Sequence, residues 1–218
     1  GSDRISVQEE LDRISSIVEK IKAKFDVCLS VDTYKPEVVE EVLKLGADII
    51  NDITGLTYSE DIAKLASEYD AGLCLMHMRE DPKTMQLNTK YDNIISEIKN
   101  FLNVSINKAT RSGMQKDSII IDPGIGFGKD LNGNSAILNN LSKFIDLGCP
   151  ILIGTSRKSF IGQINGKEAN DRLSGTIASN VIALINGARI FRVHDVKENK
   201  DALLVANEIV RSGEMIEA

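Results

Sequence analysis

The chain has 218 residues, of which 26 are basic and 32 are acidic, so its formal net charge is −6. A composition of 42% hydrophobic and 27% charged residues is typical of one globular domain or a small pair, and argues against a collagen-like repeat, a coiled coil or a disordered chain. The acidic balance argues against general nucleic-acid binding, because phosphate backbones require clustered Lys and Arg.

The chain begins with a pattern typical of an amphipathic helix. Ser6 and Glu9 form a capping box, and apolar residues then recur at helical spacing up to Phe25. The apolar run 27–31 follows. Because this run is too short for a helix, it predicts a buried strand that ends at Asp32.

The same alternation of helix and strand continues along the chain. Such an order is typical of parallel βα units and predicts a single α/β domain over residues 1–218. Further helices are predicted from apolar spacing and from glycine stop signals, over residues 36–45, 61–69, 94–109, 138–148, 177–187 and 200–211. The predicted strands number six and cover residues 27–31, 48–51, 72–77, 118–122, 151–154 and 189–193.

Polar side chains follow every predicted strand. In parallel β/α folds the carboxyl ends of the strands carry the active site. A single Asp or Asn at such a place is as readily a helix cap, but six polar strand ends together indicate a functional site. The residues concerned are Asp32, Asn51 with Asp52, His77, Asp122, the run 156–159, and Arg192 with His194.

Two further sequence patterns limit the classes of ligand that the site could bind. Residues 122–129 read Asp-Pro-Gly-Ile-Gly-Phe-Gly-Lys, and Lys129 stands where a dinucleotide-binding motif needs its third glycine. Asp130 then breaks the phosphate-loop pattern as well, which argues against a nucleotide cofactor. Two basic segments follow strands, namely the run 156–159 (Ser-Arg-Lys-Ser) and the pair Arg192 and His194. They are either solvated surface groups or two cationic clusters for a phosphate-bearing substrate. Because both occur in one chain, the second interpretation is favoured.

The cysteines and the apolar runs bear on the cellular compartment of the protein. Cys28, Cys74 and Cys149 are odd in number and lack C-x-x-C spacing, which argues against a disulfide framework or a structural zinc site. No apolar run is long enough to cross a bilayer, and no leader pattern opens the chain. We therefore expect a cytoplasmic protein with reduced thiols and no membrane partner.

Six segments, in this order and at these strand ends, closely resemble the dihydropteroate synthase family. They are 30–33 (Ser-Val-Asp-Thr), 50–53 (Ile-Asn-Asp-Ile), 75–78 (Leu-Met-His-Met), 122–129, 156–162 and 192–195 (Arg-Val-His-Asp). The resemblance implies a TIM (β/α)8-type barrel of which six βα units are recognisable here. It also implies a transferase of folate biosynthesis that joins a dihydropterin diphosphate to p-aminobenzoate and is a sulfonamide target.

The resemblance carries residue roles with it. The expected catalytic residues are Lys158, Arg192 and His194. The pterin would be bound by Asp32, Asn51, Asp122, Lys158 and Arg192. Arg192 and His194 would hold the diphosphate, and Ser159 and Phe127 would lie beside p-aminobenzoate. Mg²⁺ is expected with the diphosphate, with no metal ligand from this chain, and a homodimer is possible through helices within residues 173–211.

The sequence also departs from the family pattern. Two βα units that precede the first helix in the family are not recognisable, nor are their Asn-x-Thr-x-Asp-Ser-Phe and Ser-Thr-Arg-Pro motifs. We therefore expect an N-terminally incomplete barrel domain whose turnover as an isolated chain is uncertain. Two alternatives stay open: a catalytically silent pterin-binding fragment, and a methyltetrahydrofolate-corrinoid methyltransferase domain, which has no use for a diphosphate clamp.

Overall fold

A computed structural model describes residues 5–79, 84–85 and 88–214, and its centre is a six-stranded parallel sheet. The strands pair in the order of the chain, and each is parallel to its neighbours. This confirms the predicted α/β fold with six parallel βα units. The strands are β1 (Ser30–Asp32), β2 (Ile49–Asp52), β3 (Gly72–Met76), β4 (Ile119–Asp122), β5 (Ile151–Ile153) and β6 (Ala188–Phe191).

Helices alternate with these strands. Ser6 caps the first helix as predicted, because its side chain accepts a hydrogen bond of 3.1 Å from the backbone N–H of Glu9. Short 3₁₀ helices cover Lys116–Ser118, Leu141–Leu147 and Ala169–Asp171. The α-helices are α1 (Val7–Lys24), α2 (Pro36–Lys44), α3 (Asp61–Glu68), α4 (Ile94–Arg111), α5 (Leu131–Asn139), α6 (Ser159–Asn165), α7 (Leu173–Ile185) and α8 (Val196–Glu214).

Two predicted helices differ from the structure. The helix predicted over 138–148 is two elements, because α5 ends at Asn139 and a 3₁₀ helix follows. Asn140 separates them: its side-chain amide donates to the carbonyl of Ala136 at 2.9 Å and competes with helix propagation. The last helix begins at Val196 rather than at residue 200. The apolar spacing missed this start because Val196 is followed by the polar residues Lys-Glu-Asn.

The core joins the sheet to the helices in one connected cluster. Aliphatic side chains from alternate strand positions, such as Ile119 and Ile121 of β4, are fully buried. Val38 and Val42 of α2 and Leu102 of α4 are equally buried in the same cluster. The sheet is thereby held rigidly, and the carboxyl ends of all six strands lie at one edge. In the part of the chain that the structure describes, no helix combines the length and the apolar character that crossing a membrane requires.

Candidate active site

A buried carboxylate, that of Asp122, lies where β4 ends. One of its oxygens accepts a hydrogen bond of 2.7 Å from the backbone N–H of Gly124. Burial raises the pKa of Asp122, whereas the nearby cations of Lys158, Lys129 and Arg192 act in the opposite direction. This edge of the sheet therefore holds an acceptor whose charge is balanced by cations from three other places in the chain.

Lys158 contributes a donor to the same space. It is the N-cap residue of α6, and its Nζ donates to the carbonyl of Ile125 and lies 4.7 Å from the centre of the Phe127 ring. Burial lowers the pKa of Lys158 to about 8, and the Asp122 carboxylate partly opposes that effect. The side chain of Lys158 therefore interacts with both the Asp122 carboxylate and the Phe127 ring.

The first and last strands meet through an ion pair. Arg192, which follows β6, places Nη2 2.5 Å from Oδ2 of Asp32 at the end of β1. The other oxygen of Asp32 accepts a hydrogen bond from the side-chain amide of Asn51. Oδ1 of Asn51 is the one buried side-chain polar atom without a hydrogen-bond partner among the described residues. Buried acceptors are normally satisfied, so this oxygen is available to an N–H group of a ligand.

His194 is held by Ser156, which follows β5. The Oγ of Ser156 lies 2.9 Å from Nδ1 of His194 and accepts from the backbone N–H of His194 at 3.1 Å. Because that Oγ already accepts from the backbone, its own proton can be donated to Nδ1, which leaves Nε2 for a ligand. The two expected diphosphate residues, Arg192 and His194, therefore follow the same strand, and both side chains are exposed.

The predicted basic run 156–159 does not act as one cluster. Arg157 has a left-handed backbone conformation, with φ of 58°, and its guanidinium is committed to Asp195 through contacts of 2.6 and 3.1 Å. This ion pair lowers the pKa of Asp195. The expectation that both cations of the run face an anion is therefore wrong for Arg157. Ser159 is the exposed first residue of α6.

Comparisons with known proteins agree with this geometry. A family model for pterin binding enzymes matches residues 1–194. The dihydropteroate synthase of Escherichia coli (strain K12) is 43% identical over 214 residues, which is 98% of this chain and 76% of that protein. The chain belongs to the dihydropteroate synthase family of pterin-binding enzymes.

Solved structures of the family show the same fold. A Clostridium difficile dihydropteroate synthase, crystallised in the presence of pteroic acid, matches with a TM-score of 0.90 and 42% identity over 96% of this chain and 77% of its own. A Yersinia pestis dihydropteroate synthase in a sulfonamide drug complex matches with a TM-score of 0.92 and 40% identity, covering 97% of this chain and 76% of its own. The six strands thus correspond to a TIM-type barrel of the synthase family.

We use the name strand-end cluster for Asp32, Asn51, Asp122, Lys158, Arg192 and His194. Other polar residues at the same edge are structural. Both oxygens of Asp52 are occupied by donors from the turn after β2, namely the N–H and hydroxyl of Thr54 and the N–H of Leu56. A buried chain of hydrogen bonds from Thr155 through Asn180 to Asn199 ties the end of β5 to α7 and α8. Sequence reasoning missed that chain, because none of its members lies in a recognisable motif.

Replacing Asp122 should change the titration of Lys158. We expect Asp122→Asn to lower the pKa of Lys158 further below about 8, because the carboxylate is the group that raises it. A pH titration of labelled lysine side chains by NMR measures this shift. The control is Asp146→Asn, which removes an exposed carboxylate paired with Lys99. A Lys158 pKa that stays constant or rises in Asp122→Asn would contradict the account.

Proposed function

We propose that the strand-end cluster is the site at which this transferase of the dihydropteroate synthase family condenses 6-hydroxymethyl-7,8-dihydropterin diphosphate with p-aminobenzoate to give 7,8-dihydropteroate and diphosphate. The observation that carries the assignment is the convergence of a buried carboxylate, an unsatisfied amide oxygen and three cationic or imidazole groups at one sheet edge. Such a set suits a heterocycle with N–H groups on one side and an anionic leaving group on the other.

The pterin ring would be recognised by its hydrogen-bonding edges. The Asp122 carboxylate and Oδ1 of Asn51 accept from the amino and amide N–H groups of the ring, and Asp32 completes the polar contacts. Lys158 donates to the ring carbonyl or to a ring nitrogen. An analogue without those N–H groups would leave buried acceptors unpaired, so the site would discriminate against it.

The diphosphate would lie at Arg192 and His194. As the carbon–oxygen bond to the methylene group breaks, its electron pair leaves with the diphosphate, and negative charge on that group grows. Fixed donors at this position stabilise the transition state more than the ground state. The amine of p-aminobenzoate then forms the carbon–nitrogen bond and loses a proton. Lys158, Arg192 and His194 are therefore the proposed catalytic residues.

p-Aminobenzoate would lie beside Phe127 and Ser159. The ring of Phe127 lies beside Lys158 and offers an aromatic surface for the benzoate ring, and Ser159 follows Lys158 as the exposed first residue of α6. A sulfonamide drug shares the aromatic ring of p-aminobenzoate, and the similar Yersinia pestis enzyme was solved in a sulfonamide complex. We infer that a sulfonamide would occupy the same position in this chain.

Mg²⁺ is proposed as the counter-ion of the diphosphate. The described residues contain no group of three or more His, Cys, Asp or Glu side chains that could hold a metal ion. Mg²⁺ retains several waters and is commonly bound through substrate phosphates with few protein ligands, so the ion would enter on the diphosphate. None of the steps assigned to this chain's residues depends on it.

Arg192→Ala should weaken binding of the pterin diphosphate more than binding of the free pterin. We expect its affinity for the pterin diphosphate to fall by at least about tenfold, since hydrogen bonds to charged groups contribute about 1.5–3 kcal/mol. Its affinity for free 6-hydroxymethylpterin should fall much less. Isothermal titration calorimetry with both ligands measures the difference, and Arg189→Ala, an exposed arginine of β6, is the matched control. Equal losses for the two ligands would remove Arg192 from the diphosphate role.

A homodimer is proposed through α7 and α8, the helices within residues 173–211. The two helices pack on each other, yet they expose apolar side chains whose exposed fractions lie between 48% and 67%. Apolar surface of this kind suits an interface between copies. The residues concerned are Ile182, Ile185, Leu204, Val205 and Ile209.

Sedimentation analysis tests the dimer. The native chain should sediment at twice its 23.9 kDa mass, and Ile209→Glu should shift it towards the monomer, because a charge would be buried in the interface. Val104→Glu, an exposed apolar position of α4, should have no such effect. A native monomer, or an Ile209→Glu variant that stays dimeric, would contradict the proposed interface.

A cytoplasmic location is proposed as well. The three cysteines of the chain are free, and both Cys74 and Cys149 are buried as thiols. Free thiols are typical of a reducing compartment.

A further inference from the structure

Lys129 is a buried cation beneath the glycine loop, the name we use for residues 123–128 after β4. Only 3% of Lys129 is exposed. Its Nζ lies 2.8 Å from the carbonyl oxygen of Phe127, 3.0 Å from Nδ1 of His77 and 3.3 Å from the carbonyl oxygen of His77. An ammonium group has three N–H donors and no lone pair, so these three acceptors use all of its donors. Nδ1 of His77 is thus the acceptor, and the proton of the neutral imidazole is on Nε2.

The electrostatics agree with that arrangement. Burial lowers the pKa of His77 to about 3, and the Lys129 cation lowers it as well, so the imidazole is neutral at physiological pH. Burial also lowers the pKa of Lys129 to about 7, whereas the Asp122 carboxylate raises it. The Asp122 carboxylate therefore favours the charged form of Lys129, and protein acceptors surround its Nζ.

The glycine loop is held from two further sides. Gly124 has φ of 72°, and a Cβ atom added to it would lie 2.0 Å from the carbonyl oxygen of His77. The loop therefore passes over His77 at backbone contact, which only glycine permits. In the middle of the loop, the N–H of Gly126 donates to Oδ1 of Asn134 at 2.7 Å. Lys129 provides the remaining anchor, at the end of the loop.

Lys129 acts mainly on Phe127. The shortest contact of Lys129 is with the carbonyl oxygen of Phe127. The backbone N–H of Phe127 donates to the carbonyl of Gly124 at 3.1 Å. Both ends of the Phe127 backbone are therefore fixed. The ring of Phe127 in turn lies against Nζ of Lys158, and Lys158 donates to the carbonyl of Ile125 in the same loop.

We propose that Lys129, hydrogen-bonded to His77, is a positioning residue that fixes the Phe127 ring for the aminobenzoate half of the substrate. The role assumes the proposed function, in which Phe127 lies beside p-aminobenzoate. Lys129 itself does not touch the substrate, because its donors are all used within the protein. The pterin half is bound at strand ends, and Lys158 and Arg192 still balance the Asp122 carboxylate when Lys129 is lost. Loss of Lys129 should therefore weaken the aminobenzoate half more than the pterin half.

Two ligands separate the two halves. 6-Hydroxymethylpterin contains only the pterin, whereas pteroic acid contains the pterin joined to aminobenzoate. We expect Lys129→Met to weaken binding of pteroic acid by on the order of tenfold, because the Phe127 ring is no longer held in place before the ligand binds, and to weaken binding of the pterin much less. Lys143→Met, at an exposed lysine, should change neither affinity. Equal losses for both ligands, or none for pteroic acid, would overturn the positioning role.

The native chain distinguishes this role from the proposed function. If the native chain binds neither ligand, the proposed function fails; if it binds both and Lys129→Met binds both equally well, only the positioning role fails. A double-mutant cycle adds a second criterion. In a Phe127→Ala background, Lys129→Met should cause little further loss, because both changes act through the same ring. Fully additive losses would contradict a shared effect.

His77 supplies a test that does not require the Lys129 variant to fold. The side-chain oxygen of asparagine can replace Nδ1 of histidine as an acceptor, and leucine cannot. His77→Asn should therefore retain most of the native preference for pteroic acid over 6-hydroxymethylpterin, and His77→Leu should lose it. The same preference in both variants would show that the acceptor for Lys129 does not matter.

Discussion

The Asp122 carboxylate is the interaction on which the site depends. It is buried at the end of β4, and a buried charge is tolerated only where cations and hydrogen-bond donors compensate it. Lys158, Lys129 and Arg192 supply that compensation, and the N–H of Gly124 supplies a donor. The same carboxylate raises the pKa of Lys129 and of Lys158 against the lowering effect of burial, so the site is one coupled set of groups.

The parallel sheet makes such a set possible. Each strand ends at the same edge, so residues far apart in the chain meet there: Arg192 and Asp32 are separated by 160 positions and form an ion pair. The hydrogen bonds of Ser156 with His194 join β5 to β6 in the same manner. Because rigid strands carry these residues, their geometry does not depend on loops alone.

The strand ends were predictable from the sequence, but the pairings between them were not. Alternation of apolar runs with amphipathic helices predicted six parallel strands, and polar residues after them predicted where the site lies. The motifs that resemble the family predicted the residues of the strand-end cluster. Arg157 belonged to the same motif as Lys158, yet it pairs with Asp195, and local spacing carries no information about such long-range partners. Lys129 was recognised only as a residue that breaks a glycine motif, because its burial depends on tertiary packing over His77.

The most direct test of the account is the binding of 6-hydroxymethylpterin to the native chain and to Asp122→Asn, measured by calorimetry with Asp146→Asn as the control. An amide would present one acceptor and one donor where the pterin needs two acceptors. We expect the native chain and the control to bind the pterin alike, and Asp122→Asn to lose at least about tenfold in affinity. Equal binding by Asp122→Asn would contradict the assignment of this buried carboxylate as the pterin acceptor.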